Sequence, residues 1–374
     1  MKIEQRFYSA RAGWNTPAGT HAVHPHFALV FAGRGLLEDS RLIEQLHASY
    51  PGTRLILAST AGEITDTNVS EDTLNVTAVA LEKTRIACAT VTVRSQFESY
   101  SAGQELATRL NGPGLVHVFV VSDGQLVNGT ELARGFNEHL PRHVTLTGGL
   151  AGDGSRFERT IVGLDDKPAS GRIVALAFYG RDLQVGFGSS GGWKSVGSTR
   201  IATRSSGNIL FELDGQPALR LYKEHLGAQA SGLPAAALRF PLCVTTADAR
   251  VSVVRTILSV EEVTQSMVFA GDIPPGSHVT FMHAGHDDLI GGAQQAAEHA
   301  RQAESVDLAI CVSCVGRRIV LGEKSTDEVQ RVRQVLGRRP VVTGFYSYGE
   351  LAPAGQSGCQ LHNQTMTVTT LREA

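Results

Sequence analysis

The chain has 374 residues, 42% of them hydrophobic and 19% charged, enough for two domains that each bury a core. A formal net charge of −2 argues against bulk electrostatic binding to nucleic acid or anionic lipid. No apolar run approaches the roughly 20 residues of a membrane span, so no membrane insertion is expected. Residues 1–11 show no hydrophobic segment followed by a small-residue cleavage site, so no secretory signal is expected. Five scattered cysteines, an odd number, fit a reducing compartment, and a cytoplasmic location is expected.

In chain order, residues 27–31 (Phe-Ala-Leu-Val-Phe) read as a buried strand. Leu42, Ile43 and Leu46 then share a helix face, with Asp39 or Ser40 as N-cap and Pro51 as the stop. A strand over 54–58 runs into Ser59-Thr60-Ala61-Gly62-Glu63. The pattern recurs. Strand 116–121 precedes a helix carrying Leu132, Phe136 and Leu140, capped by Asn128 or Thr130, and strand 144–147 leads to Ala151-Gly152-Asp153. It appears a third time in strand 307–312, in a helix with Val329, Val332, Val335 and Leu336, and in strand 341–349 ending Gly349-Glu350. Ser325 and Glu328 have capping-box spacing there, and Gly337 can end the helix. Strand, helix, strand and glycine-acid is the order of a parallel βαβ crossover. The acid falls past the carboxyl end of the second strand, where open α/β sheets hold ligands. Gly62, Gly152 and Gly349 are all expected at strand-end turns.

Alternating segments follow each copy, over 74–93, 160–188 and 359–371, and read as antiparallel meanders. The expected fold is therefore α/β: repeated βαβ units, mixed sheets, antiparallel meanders and two lobes. Residues 228–237 are small and flexible in composition, suited to a linker open to proteolysis. They divide the chain into an N-terminal segment (1–25), a first domain (26–227) and a second (238–371). A helix over 288–304 is expected in the second. Gly186 to Gly192 lacks the lysine of a phosphate loop and reads as a turn between strands.

These segments resemble the FIST family of signalling modules. The first half matches through Ser59-Thr-Ala-Gly-Glu-Ile64, Gly148-Gly-Leu-Ala-Gly-Asp153 and Glu212-Leu-Asp-Gly-Gln-Pro-Ala218. The second matches through Cys314-Val-Gly-Arg317, Gly344-Phe-Tyr-Ser-Tyr-Gly-Glu350 and His362-Asn363-Gln-Thr365. Ala58 departs from the Gly or Cys more usual there, which touches only the local turn. The resemblance implies sensing of a small ligand and delivery of that state to a signalling partner such as a sensor histidine kinase. Some bacterial members are haem proteins that sense nitric oxide; amino acids or similar metabolites are suspected ligands of others.

Two roles are open to Glu63 and Glu350: gripping an ammonium through charge-assisted hydrogen bonds, or accepting N–H bonds within their own turns. For Asp153 the turn role leads. Backbone amides in the adjacent Gly-rich turns, beside Gly62 and Gly349, suit a carboxylate or phosphate. Cys311 and Cys314 point to opposite faces of one strand, which disfavours a disulfide; Cys311 reads as core and Cys314, beside Arg317, as ligand contact or reactive thiol. His362 and Asn363 read as hydrogen-bonding site residues. His21, His24, His26, His278, His283 and His286 each offer an axial haem ligand, and none is singled out. The expected ligand site thus joins Cys314, Arg317, Glu350, His362, Asn363, Glu63, Gly62 and Gly349. On that reading, Glu350→Gln and Arg317→Ala weaken ligand binding while the melting temperature stays nearly unchanged. The reading prefers a sensor without bond-changing chemistry. Its alternatives are a haem-based nitric-oxide sensor and an enzyme using Cys314 with His362 as base.

Overall fold

The computed structural model describes residues 1–16, 24–301, 305–355 and 357–374. The three βαβ units are present. Strand Phe27–Ala32 runs parallel to Arg54–Ser59 across helix Ser40–Ser49, Leu115–Ser122 to Thr145–Leu150 across Gly129–His139, and Leu308–Cys314 to Val341–Ser347 across Ser325–Leu336. Asp39 and Asn128 cap the first two helices through their side-chain oxygens. The third differs. Ser325 turns its hydroxyl to Gly322 O, and Glu328 points into the core, so no capping box forms. A further short helix, Val315–Leu321, follows the first strand directly. The helix expected over 288–304 runs His286–Ala300.

Each unit sits at the centre of a six-stranded mixed sheet. Beside its first strand lies an antiparallel strand (Thr73–Ala80, Arg172–Tyr179 or Met366–Glu373), and outside that another (Lys2–Ser9, Arg85–Thr92 or Leu183–Ser190). Beside its second strand lies a strand donated by a different unit. Glu63–Thr65, leaving the first unit, pairs in the third unit's sheet; Val162–Leu164, leaving the second, pairs in the first; Gly349–Pro353, leaving the third, pairs in the second. The exchange is cyclic and gives the body an approximate threefold arrangement. The strands after each unit are antiparallel, as their alternation predicts, but consecutive ones enter different sheets instead of forming simple meanders.

Gly62, Gly152 and Gly349 all fall where the chain crosses between sheets, and the three crossings interlock. Ala61 N–H donates to Tyr346 O and Tyr346 N–H to Gly62 O, both at 2.8 Å; Gly152 N–H donates to Ser59 O at 2.9 Å; Tyr348 N–H donates to Leu150 O at 3.1 Å. The inner sheet faces form one core containing Phe27, Leu29, Phe31, Phe119, Val121, Ile310, Val312 and Phe345. The alternate residues Ala28 and Val30 face outward and are covered in turn. Burial on both faces explains why these strands read as unbroken apolar runs.

The second lobe is an insertion into the third unit's module. Residues 194–283 form strands around helix Ala218–Leu226, with a separate core built on Tyr222, Leu242, Met267, Phe269 and Phe281. This corrects the division at 228–237. That segment forms two 3-10 turns, Gly227–Gly232 and Ala235–Arg239, and Ala237 is part of the lobe's own core. Within the N-terminal segment, Lys2–Ser9 belongs to the first sheet. The glycines of 186–192 also serve differently. Gly186 and Gly188 lie within strand Leu183–Ser190, where an added Cβ would meet Ala300 O at 2.0 Å and Ala296 O at 2.1 Å. Their bareness lets helix His286–Ala300 lie directly on the strand. Among the described residues, no helix is long and apolar enough to cross a membrane.

Candidate functional site

A cavity of about 180 Å³ opens between the body and the inserted lobe. The body contributes residues past the ends of two unit strands, Gly124 to Gly129 and Cys314 to Gly316, together with Leu150, Phe157, Tyr348 and Asn363. Thr256, Leu258 and residues 269–272 come from the lobe. Strand ends at a junction of two lobes are where ligands of α/β folds bind.

Asp272 is the single formally charged residue among those lining the cavity. Its carboxylate accepts the Asn128 side-chain amide at 3.2 Å. Behind it the buried Arg255 spans lobe and body, donating to Asp272 O at 3.0 Å and to Leu361 O at 2.8 Å. Burial pulls the Arg255 pKa down to about 10, opposed by Asp272. Asn363 Oδ1 accepts Thr256 N–H at 3.4 Å, a second tie between lobe and body. The Thr256 hydroxyl is buried without a hydrogen-bond partner. A buried polar group left unsatisfied costs about 1–3 kcal/mol.

Of the residues singled out by sequence, Cys314 and Asn363 line this cavity. Glu350 lies behind the same wall: its carboxylate takes Thr365 N–H at 3.2 Å, and Thr365 O takes Cys314 N–H at 3.1 Å. The Glu350 oxygens are occupied further by Ser347 Oγ at 2.7 Å and Thr365 Oγ1 at 2.9 Å. Burial raises its pKa to about 8. Glu63 repeats the arrangement at another junction, with Thr60, Thr73 N–H and Thr73 Oγ1 as donors and a pKa raised by burial to about 7. Both acids are therefore held by donors of the fold, and their N–H donors, Thr365 and Thr73, lie outside their own turns. Asp153 is bound by the Arg34 and Arg156 side chains and by Arg159 N–H at 3.3 Å. Gly62 lies under the Arg318 guanidinium, away from the cavity, and Gly349 opens the exchanged strand Gly349–Pro353.

Arg317 is corrected outright. Its guanidinium is fully buried, and its donors are taken by Glu328, Gly191 O, Gln364 O and Leu289 O. No fork is left for an anion. His362 lines a separate outer trough with Arg250 and His299, and its Nε2 bonds Ala352 O at 3.1 Å. Burial holds the Cys314 thiol far above its usual pKa. A protonated thiol and an imidazole facing another cavity do not form a nucleophile-base pair.

No imidazole lines this cavity, so none of the described histidines singled out as an axial haem ligand reaches it. His24, His278, His283 and His286 are exposed, His286 bonding Val320 O, and His26 accepts Leu81 N–H; His21 lies outside the described residues. Among the described residues no cluster of His, Cys, Asp or Glu suits a metal ion.

Sequence reading missed Asp272 and Thr256. Gly271-Asp272 follows strand Ser266–Phe269 and is itself a glycine-acid pair after a strand. Thr256 carries no sequence signal.

Fold and site together define a two-lobed mixed α/β protein with a mainly neutral cavity at the junction of body and lobe. Family models match nearly end to end: the FIST N domain over residues 26–216 and the FIST C domain over 218–353. The chain belongs to the FIST family, whose domains are associated with sensing in signal transduction. No curated protein sequence matches it. Among solved structures, a crystal structure of cyanuric acid hydrolase from A. caulinodans aligns over 100% of this chain and 98% of that one, at 8% identity and a TM-score of 0.36.

Proposed function

We propose that this chain is a cytoplasmic sensor of a small, amino-acid-like ligand carrying a primary ammonium, and that it passes the bound state to a signalling partner such as a histidine kinase. Asp272 carries the reading: it is the one charged residue lining the cavity among the described residues, and because the buried Arg255 behind it donates to backbone carbonyls, its carboxylate is left to favour a cation over an anion. Cys314 and Asn363 contribute to the wall. Because body and lobe share the walls, a bound ligand stabilises the arrangement that completes its contacts, and this differential affinity is what a partner can read. No bond-changing step is assigned.

Amide hydrogen exchange with and without a mixture of the proteinogenic amino acids tests the location. Added protection is expected in 124–129, 256–272 and 314–316, the segments that line the cavity. Protection confined to the trough around Arg250 and His362 would move the site elsewhere and end this reading.

A further inference from the structure

Resting on that reading, we infer that the ligand's side chain is apolar and lies between Phe157 of the body and Leu258 of the lobe, with its ammonium at Asp272. Both residues line the cavity, yet they remain 45% and 51% exposed. Leu126, beside Gln125 on the same rim, is 38% exposed, and Phe97, beside the lining Gln96, is 89% exposed. Exposed apolar side chains lining a cavity call for an apolar cover. The cavity itself continues inward over Val127, Leu150 and Phe269, so one amphiphilic molecule meets both surfaces.

Phe157 supplies an independent observation. Its φ is +54°, a left-handed conformation disfavoured for a bulky side chain. Three contacts hold it there. Its N–H donates to the Tyr348 hydroxyl at 3.2 Å, its carbonyl accepts from Gln125 Nε2 at 3.0 Å, and its ring stacks on Tyr348 with centroids 4.7 Å apart. The stack fixes the ring at the mouth instead of burying it in the core. Strain maintained to present a half-exposed aromatic face to a cavity marks a recognition element.

Isothermal titration of the full chain with L-leucine, L-phenylalanine, L-alanine and L-glutamate tests this. Leucine and phenylalanine are expected to bind about tenfold or more tighter than alanine, with glutamate weakest. Phe157→Gly and Leu258→Ser should each lower leucine affinity about tenfold and leave alanine nearly unchanged. Phe157→Gly should change the melting temperature little, because relief of the positive-φ strain offsets the lost stack on Tyr348 and the added unfolded-state entropy. Alanine binding as tightly as leucine would overturn the inference and leave the ammonium site standing. A leucine preference that survives both substitutions would also overturn it and make the rim a contact surface for another protein. If none of the four amino acids binds, the parent reading fails and this one with it.

Discussion

Arg317→Ala is expected to destabilise the fold by about 3–5 kcal/mol, the cost of breaking a buried ion pair and leaving one charge uncompensated. The guanidinium donates to Glu328 Oε2 from Nε at 3.1 Å and from Nη2 at 2.7 Å, and both side chains are fully buried. It also donates to three separate segments: Gly191 O and Leu289 O at 2.7 Å each, and Gln364 O at 3.3 Å. Removing it strands a carboxylate whose remaining donors are Ser313 Oγ at 3.0 Å and the Tyr346 hydroxyl at 2.7 Å. Lysine cannot span the same set, since a single ammonium replaces a planar fork. Urea denaturation of Arg317→Ala and Arg317→Lys should show both losing stability, with alanine the worse. Replacing Arg317 and Glu328 together by apolar residues of similar volume should recover much of the loss. A near-normal melting temperature for Arg317→Ala, as expected of a ligand contact, would contradict the network.

The second large effect is on pH. Glu350 and Glu63 have folded pKa values raised by burial to about 8 and about 7, from an ordinary value of 4.5. Through that window the folded chain keeps protons that the unfolded chain releases. By linkage, stability must then fall as pH rises from about 4.5 through about 8. A neutral Glu350 fits its surroundings, because Ser347 Oγ also reaches Ser313 O at 3.3 Å and can donate there while accepting the carboxyl proton. The melting temperature should decline from mildly acidic to mildly alkaline pH, and Glu350→Gln should flatten the slope most, with Glu63→Gln adding to it. A profile that rises across the window would mean that both acids are ionised in the fold.

The three units are legible in sequence because each strand is buried on both faces and each helix is punctuated by proline or glycine. Asp39 and Asn128 can be read as caps because capping is local chemistry. The exchange of strands is not local. Glu63–Thr65 has the same composition whichever sheet receives it, and its pairing with Thr343 to Phe345 joins residues far apart in the chain. The lobe boundary hides for a related reason: small residues such as Ala237 suit a linker and a tight core equally. At the site, strand-end logic puts Cys314 in a cavity wall, where Asn363 also lies. It fails for Arg317, because an arginine near a strand end looks the same whether it faces a ligand or a buried acid. Glu328, at capping spacing, gives no sign that it is that acid. Asp272 shares the glycine-acid signal of the repeats but sits outside the repeat frame.

Titration of L-leucine into the wild-type chain and into Asp272→Asn near neutral pH tests the ammonium site most directly. Asparagine keeps the shape and can still accept the Asn128 amide, so the fold should hold, with the melting temperature lowered somewhat by loss of the charge facing the buried Arg255. Losing the charge-assisted bond should weaken binding about tenfold or more. Equal affinity in the two proteins would mean that the cavity carboxylate does not recognise the ligand.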